Sequence, residues 1–138
     1  MKRYAAFALA LSFITFALTA CAGVKTEDKM IVTRDLSNGM TVKLLNDNGK
    51  LTAGKNEFLV EFTNSGGQPV DPGKVAVEIN MPAMGSMMAM HGAAQLKPVS
   101  TGKYRATLNI DMNGAWVMTV SVQGPAGEVK SNFNINAQ

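Results

Sequence analysis

The chain has 138 residues, of which 46% are hydrophobic, and carries 13 lysines and arginines against 10 aspartates and glutamates. This length suits one domain with one hydrophobic core. The basic residues form no run that could follow a phosphate backbone, and they are not interleaved with aromatic residues. Nucleic acid is therefore not expected as a partner.

The N-terminus has the pattern of a secretory signal with a lipobox. Lys2 and Arg3 precede an uncharged run rich in Ala, Leu and Phe, which ends in Leu18-Thr-Ala-Cys21. The run is at the lower limit for spanning a bilayer, and small residues lie at its end, as a signal peptidase requires. We predict a signal peptide over residues 1–20 and a lipid anchor at Cys21. The alternative is an uncleaved anchor, and both place the domain outside the cytoplasm.

The predicted mature chain is nearly neutral and has no disulfide. Without Lys2 and Arg3, eleven basic residues face ten acidic ones. Cys21 is the single cysteine, so the stability of the fold must come from its core. Ala22 follows Cys21 where Asp could stand, which resembles an outer-membrane sorting signal in a Gram-negative cell. We expect a lipoprotein of the cell envelope that faces the periplasm or the cell exterior.

Beyond the signal, the chain divides into a tether and one domain. Residues 21–33 are small and charged without an apolar period, which predicts a flexible tether. Over residues 34–138, apolar residues alternate with polar ones, and turns rich in Gly, Pro, Asn and Asp separate the alternating runs. We predict an all-β, immunoglobulin-like antiparallel β-sandwich of about seven strands. The predicted inward rows are Met40, Val42 and Leu44; Phe58, Val60 and Phe62; Val75, Val77 and Ile79; Tyr104, Ala106, Leu108 and Ile110; Trp116, Met118, Val120 and Val122; Phe133 and Ile135.

Two large residues of one row are predicted to belong to the core. We expect Trp116 to be central in the core, with its indole N–H donating to a backbone carbonyl. Met118 is two residues further on the same face, and we expect it to fill core space. Met112, which precedes the turn at Asn113 and Gly114, is left unassigned.

Residues 81–91 hold five methionines and the single histidine of the chain. Thioether sulfur is a soft, neutral donor that suits Cu(I) or Ag(I) and competes poorly for zinc, magnesium or calcium. Pro82, Gly85 and Gly92 leave too few residues for a stable helix, so we predict an irregular loop. The predicted metal ligands are Met84, Met87, Met90 and His91, with Met81 and Met88 as further candidates.

Other interpretations of these residues stay open. A single surface histidine is often only solvated, although His91 adjoins the methionines and imidazole binds copper well. The methionine run could also be an adaptable apolar patch that contacts an envelope protein or the lipid surface.

Catalysis is not expected. The chain has no free cysteine after acylation of Cys21 and one histidine, and Asp71, Glu78 and Asp111 are scattered carboxylates without the spacing of a catalytic triad. A blue-copper centre needs a thiolate and two imidazoles, which this chain does not offer.

The order of several short motifs resembles the YtkA-like domain, a family related to FixH. The motifs are Met81-Pro-Ala-Met84 with its trailing methionines and histidine, Gly102-Lys-Tyr104, and Asp111-Met-Asn-Gly-Ala-Trp116. The resemblance covers residues 35–136. Members are exported or membrane-anchored sandwiches, and relatives are associated with copper supply to respiratory oxidases or with metal efflux.

Taken with the methionine run, the resemblance implies a lipid-anchored domain that carries or buffers Cu(I) for a membrane-protein partner in copper delivery or efflux. Family members often have several histidines here, whereas this chain has only His91, which favours the monovalent ion. The alternative is a non-catalytic interaction module that uses the methionine run as its contact surface.

Overall fold

The computed structural model describes residues 27–138, so the predicted signal peptide and Cys21 lie outside the described residues. This part of the chain folds into strands and turns, and it contains no helix that could cross a membrane. The strands are β1 Lys29–Asp35, β2 Thr41–Asn46, β3 Gly54–Thr63, β4 Lys74–Met81, β5 Met90–Ala93, β6 Gln95–Ser100, β7 Lys103–Ile110, β8 Gly114–Gly124 and β9 Gly127–Ala137.

The strands form two antiparallel sheets that pack face to face. One sheet has the order β1-β2-β3-β7-β6 and the other β5-β4-β8-β9. The predicted all-β antiparallel sandwich is confirmed, but the described residues form nine strands instead of about seven. The strands that match none of the six predicted inward rows are the short or irregular edge strands β1, β5 and β6. Their alternation is too weak to predict a strand from sequence.

Strand β1 begins within the segment predicted as tether. Residues 29–33 pair with β2, so the ordered domain starts at Lys29 and not at residue 34. The register of β1 shifts between Met30 and Val32, which places the neighbours Ile31 and Val32 both half-buried. This irregularity breaks the period of two by which the other strands could be recognised.

The core lies between the sheets and consists mainly of the predicted rows. Met40, Val75 and Tyr104 of these rows are only partly buried, and the core also contains Leu36, Leu51, Met81 and Ala137. Buried side chains alternate along β3, β4, β7 and β8, because successive residues of a strand point to opposite faces. Trp116 is buried, and its indole N–H donates to the carbonyl oxygen of Met112 at 3.1 Å, as predicted. Met118 is fully buried beside it, which confirms its predicted place in the core.

Candidate metal site

The methionine-rich residues 81–91 form a β-hairpin. Met81 at the end of β4 pairs with Met90 at the start of β5, and an isolated bridge joins Met84 and Met87 in the same register. The ladder is interrupted between the two pairs, where Pro82 has no N–H to donate. The predicted irregular loop therefore holds for residues 82–83 and 88–89, whereas the bridge between Met84 and Met87 and strand β5 from Met90 continue the hairpin. We call residues 81–91 the methionine hairpin and residues 82–89 its tip.

Gly85 and Ser86 make the turn that closes this hairpin. Gly85 has a φ of +59°, and among the described residues only glycines have positive φ. Positive φ at the first central position alone is the pattern of a type II′ turn, whose twist matches that of two antiparallel strands. The backbone N–H of Met84 donates to the carbonyl of Met87 at 3.2 Å, and the reciprocal bond measures 2.9 Å.

The bridge places two thioethers next to each other. Directly opposed residues of an antiparallel pair project from the same face, with Cβ atoms about 5 Å apart. Met84 and Met87 are both exposed, at 56% and 39% of their surfaces. They are thus a solvent-accessible pair of soft donors that share one face of a tight turn. Both were predicted as ligands from sequence, and the structure brings them together.

The other methionines of the hairpin have different surroundings. Met81 is only 2% exposed and belongs to the core. Its partner Met90 is partly buried against that core. Met88 is 84% exposed, the most of any large hydrophobic residue in the described part. Met88 is therefore accessible from solvent beside the pair, whereas the sulfur of Met81 lies inside the sandwich.

His91 lies on β5, opposite Asn80 in the ladder. It lines a surface depression together with Glu78, Asn80 and Thr119, and no methionine lines that depression. The Oδ1 atom of Asn80 is buried without a hydrogen-bond partner. No local pattern of residues identifies Asn80 as a neighbour of His91, since only the register of β4 and β5 places the two side by side.

Hard-ligand clusters are lacking around the hairpin. Residues 81–91 contain no Asp, Glu, Lys or Arg. Throughout residues 27–138, no three His, Cys, Asp or Glu side chains come close enough to hold a metal ion. A donor set here therefore consists of neutral thioethers with imidazole nearby, which fits a soft monovalent ion better than a divalent one.

The remaining motif residues have structural roles. Gly102 has a φ of +67°, and a Cβ there would lie 2.4 Å from the carbonyl oxygen of Val70. Tyr104 packs edge-on against Phe62, with ring centroids 6.1 Å apart and an angle of 84° between the rings. Burial raises the pKa of Tyr104 above its ordinary value of 10.0, and the charge of Asp71 raises it further.

The chain matches a model of a known protein family. The model described as YtkA-like matches residues 34–121, which is more than half of the chain. Comparison with curated proteins and with solved structures finds no match. The matched residues include the tip of the methionine hairpin, Gly102, Tyr104 and Trp116. On this match, the chain belongs to the YtkA-like family.

Proposed function

We propose that this protein is a lipid-anchored, extracytoplasmic metal-binding domain that carries or buffers Cu(I) for a membrane partner such as a respiratory oxidase or an efflux system. The observation that carries the proposal is the exposed cross-strand pair of Met84 and Met87. Cu(I) and Ag(I) prefer soft donors, and thioethers on one face of a turn can bind such an ion without a change of backbone.

The surroundings of the pair support a carrier more than a store. Cu(I) needs few soft donors, so one further ligand from Met88, Met90 or His91 would complete a set of three. All of these donors are neutral and leave the charge of the metal uncompensated. The pair is also open to solvent, so a partner's donor can approach the ion without unfolding the hairpin. The uncompensated charge and the exposure of the pair both favour exchange of the ion with a partner.

The test is a titration of the full-length protein in detergent with Cu(I), against a competing chromogenic chelator. Met84→Ser/Met87→Ser should lower the affinity by more than about tenfold, the equivalent of about 1.4 kcal/mol. Met30→Ser is the matched control, because Met30 is 51% exposed, close to the 56% of Met84, but lies outside the hairpin. Its affinity should equal that of the parent. Equal affinities for all three proteins would mean that Met84 and Met87 are not the ligands.

A protein-interaction module is the second candidate function. The tip offers a small apolar surface, with Met88 84% exposed and no charged neighbour in residues 81–91. Flexible methionines adapt to partner surfaces of different shapes. An envelope-protein complex that persists in a Cu(I) chelator and is lost in Met88→Ser would favour this candidate. A complex that dissolves in the chelator would favour the copper carrier.

A further inference from the structure

The start of β8 and the end of β9 lie at one end of the sandwich. Ala137, the last residue of β9, pairs with Gly114 at the start of β8. Leu51 bridges to Ala137 and accepts a hydrogen bond from the backbone N–H of Gln138 at 3.0 Å. Strand β1 enters along the edge of the other sheet, where Met30 lies in the same cross-strand row as Leu59, near the middle of β3.

The methionine hairpin projects from the end where β8 begins and β9 ends. Asn80 pairs with Val117, close to the start of β8, and β4 ends one residue later at Met81. The Cε atom of Met81 lies 3.3 Å from where a Cβ of Gly114 would be. The tip extends beyond this point, past the last pairs of β8 and β9. We call this end, from which the tip leaves the sandwich, the tip end.

Exposed apolar side chains concentrate at the tip end. The described residues include five exposed large hydrophobic side chains, and three of them, Met84, Met87 and Met88, lie in the tip. Met30 is the second residue of β1 and lies between the two ends, in the same cross-strand row as Leu59. The fifth, Val99, lies near the end of β6, where β6 pairs with the start of β7 at the opposite end of the sandwich. The exposed apolar surface is thus asymmetric.

The predicted anchor is close enough to bring this end to the bilayer. Lys29 follows Cys21 by eight residues. A fully extended chain spans at most about 3.3–3.6 Å per residue, so the lipid anchor lies within about 30 Å of Lys29. A lipidated Cys21 would therefore keep the domain, with its tip, within reach of the lipid surface.

We propose that the tip of the methionine hairpin contacts the surface of the bilayer in which Cys21 is anchored. The inference rests on the lipid anchor of the proposed function and is independent of its metal. The tip suits the interfacial region because it is uncharged and methionines are apolar and flexible. Contact at this place presents Met84 and Met87 to a membrane-embedded recipient at the lipid surface. In this arrangement, lipid covers the exposed apolar side chains of the tip.

The experiment uses full-length protein reconstituted into phosphatidylethanolamine and phosphatidylglycerol vesicles that contain nitroxide-labelled lipid, with a metal chelator present. A fluorophore is attached to Ser86→Cys in the tip turn. The matched control is Ser65→Cys, an exposed serine in the turn that follows β3 at the opposite end. Nitroxide lipid should quench the label at position 86 several-fold more strongly than the label at position 65. Ala83→Cys should behave like Ser86→Cys.

Three results would overturn the inference. Equal quenching at the two ends, or stronger quenching at position 65, would mean that the tip does not face the bilayer. Labelling of the parent protein at Cys21 would mean that its thiol is free and that the anchor is missing. Unchanged quenching after Met84→Ser/Met87→Ser/Met88→Ser in the Ser86→Cys protein would mean that the tip is near lipid but not held there by its apolar side chains.

The metal function and the membrane contact fail separately in these tests. Because the vesicles contain a chelator, quenching reports the orientation of the domain without copper. Strong quenching at position 86 together with weak Cu(I) binding would retain the contact and remove the carrier. Tight Cu(I) binding with equal quenching at both ends would retain the copper carrier and remove the membrane contact.

Discussion

Met84 and Met87 hydrogen-bond to each other through both backbone amides, at 3.2 and 2.9 Å, across a turn of only two residues. This arrangement fixes two thioethers on one face without using any side-chain contact. The turn, and not the core, therefore decides whether the donors lie side by side. Gly85 is the residue on which the turn depends, since its φ is +59°.

Gly85→Ala should weaken Cu(I) binding and lower stability by no more than the local strain of the turn. A Cβ at Gly85 meets nothing within 4 Å, so the strain comes only from the positive φ, at about 1–2 kcal/mol. We expect the affinity to fall by about five- to thirtyfold and the free energy of unfolding to fall by at most about 1–2 kcal/mol. Gly85→Asn is the control, because Asn tolerates positive φ better and should lose less affinity. Equal losses in both variants would contradict this explanation.

His91 should contribute less to Cu(I) affinity than the methionine pair. It lies opposite Asn80 in a depression lined by no methionine, while Met84 and Met87 are direct partners. We expect His91→Ala to lower the affinity by no more than about tenfold. X-ray absorption at the copper edge should keep a sulfur-dominated shell in this variant. A loss larger than that of Met84→Ser/Met87→Ser would make the imidazole the principal ligand.

Gly102→Ala should destabilise the fold by more than about 3 kcal/mol. The added Cβ would lie 2.4 Å from the carbonyl oxygen of Val70 and 2.7 Å from that of Phe62, so two backbone segments must move. Gly39→Ala is the matched control, because Gly39 has a similar φ of +79° but open space around it. It should lose only the cost of positive φ, about 1–2 kcal/mol. Urea denaturation of both variants measures the difference, and similar losses would exclude the steric explanation.

Truncating Met81 should lower the stability of the fold, whereas truncating Met88 should leave it almost unchanged. Met81→Ala removes a side chain that is 2% exposed, which should lower the free energy of unfolding by about 2–5 kcal/mol. Met88→Ala changes a side chain that is 84% exposed and should stay within about 0.5 kcal/mol. Denaturant midpoints check both values. Met81→Leu keeps the volume and should leave Cu(I) affinity unchanged, whereas a loss of affinity would place its sulfur in the metal shell.

Tyr104 should titrate above its ordinary pKa of 10.0. Burial raises the pKa of Tyr104, and Asp71 adds to the effect, because both disfavour the phenolate. The folded state therefore holds the proton more tightly than the unfolded state. The resulting stability is present below pH 10 and is lost as the pH rises through the pKa of the folded protein. Tyrosinate absorbance of the parent minus that of Tyr104→Phe measures this pKa, and a midpoint at or below 10 would contradict the prediction.

The sequence could predict most of the sandwich because buried and exposed residues alternate along its central strands. The row of Trp116, Met118, Val120 and Val122 is buried throughout, since β8 lies inside its sheet with the core on one face. The alternation is a local property, so it is visible without knowledge of the partner strands. The edge strands β1, β5 and β6 could not be recognised in this way, because half-exposed strands need no regular apolar row.

The sequence by itself determined that soft donors are concentrated in residues 81–91, and composition alone limits the chemistry of such a cluster. Only the tertiary structure decided which donors meet. The register of the hairpin pairs Met84 with Met87. Met81 is buried in the core, and His91 on β5 lies opposite Asn80. Sheet order then places the tip at the end of the molecule where β8 begins and β9 ends. Register and sheet order are long-range properties, set by the packing of both sheets, so no local pattern of residues specifies them.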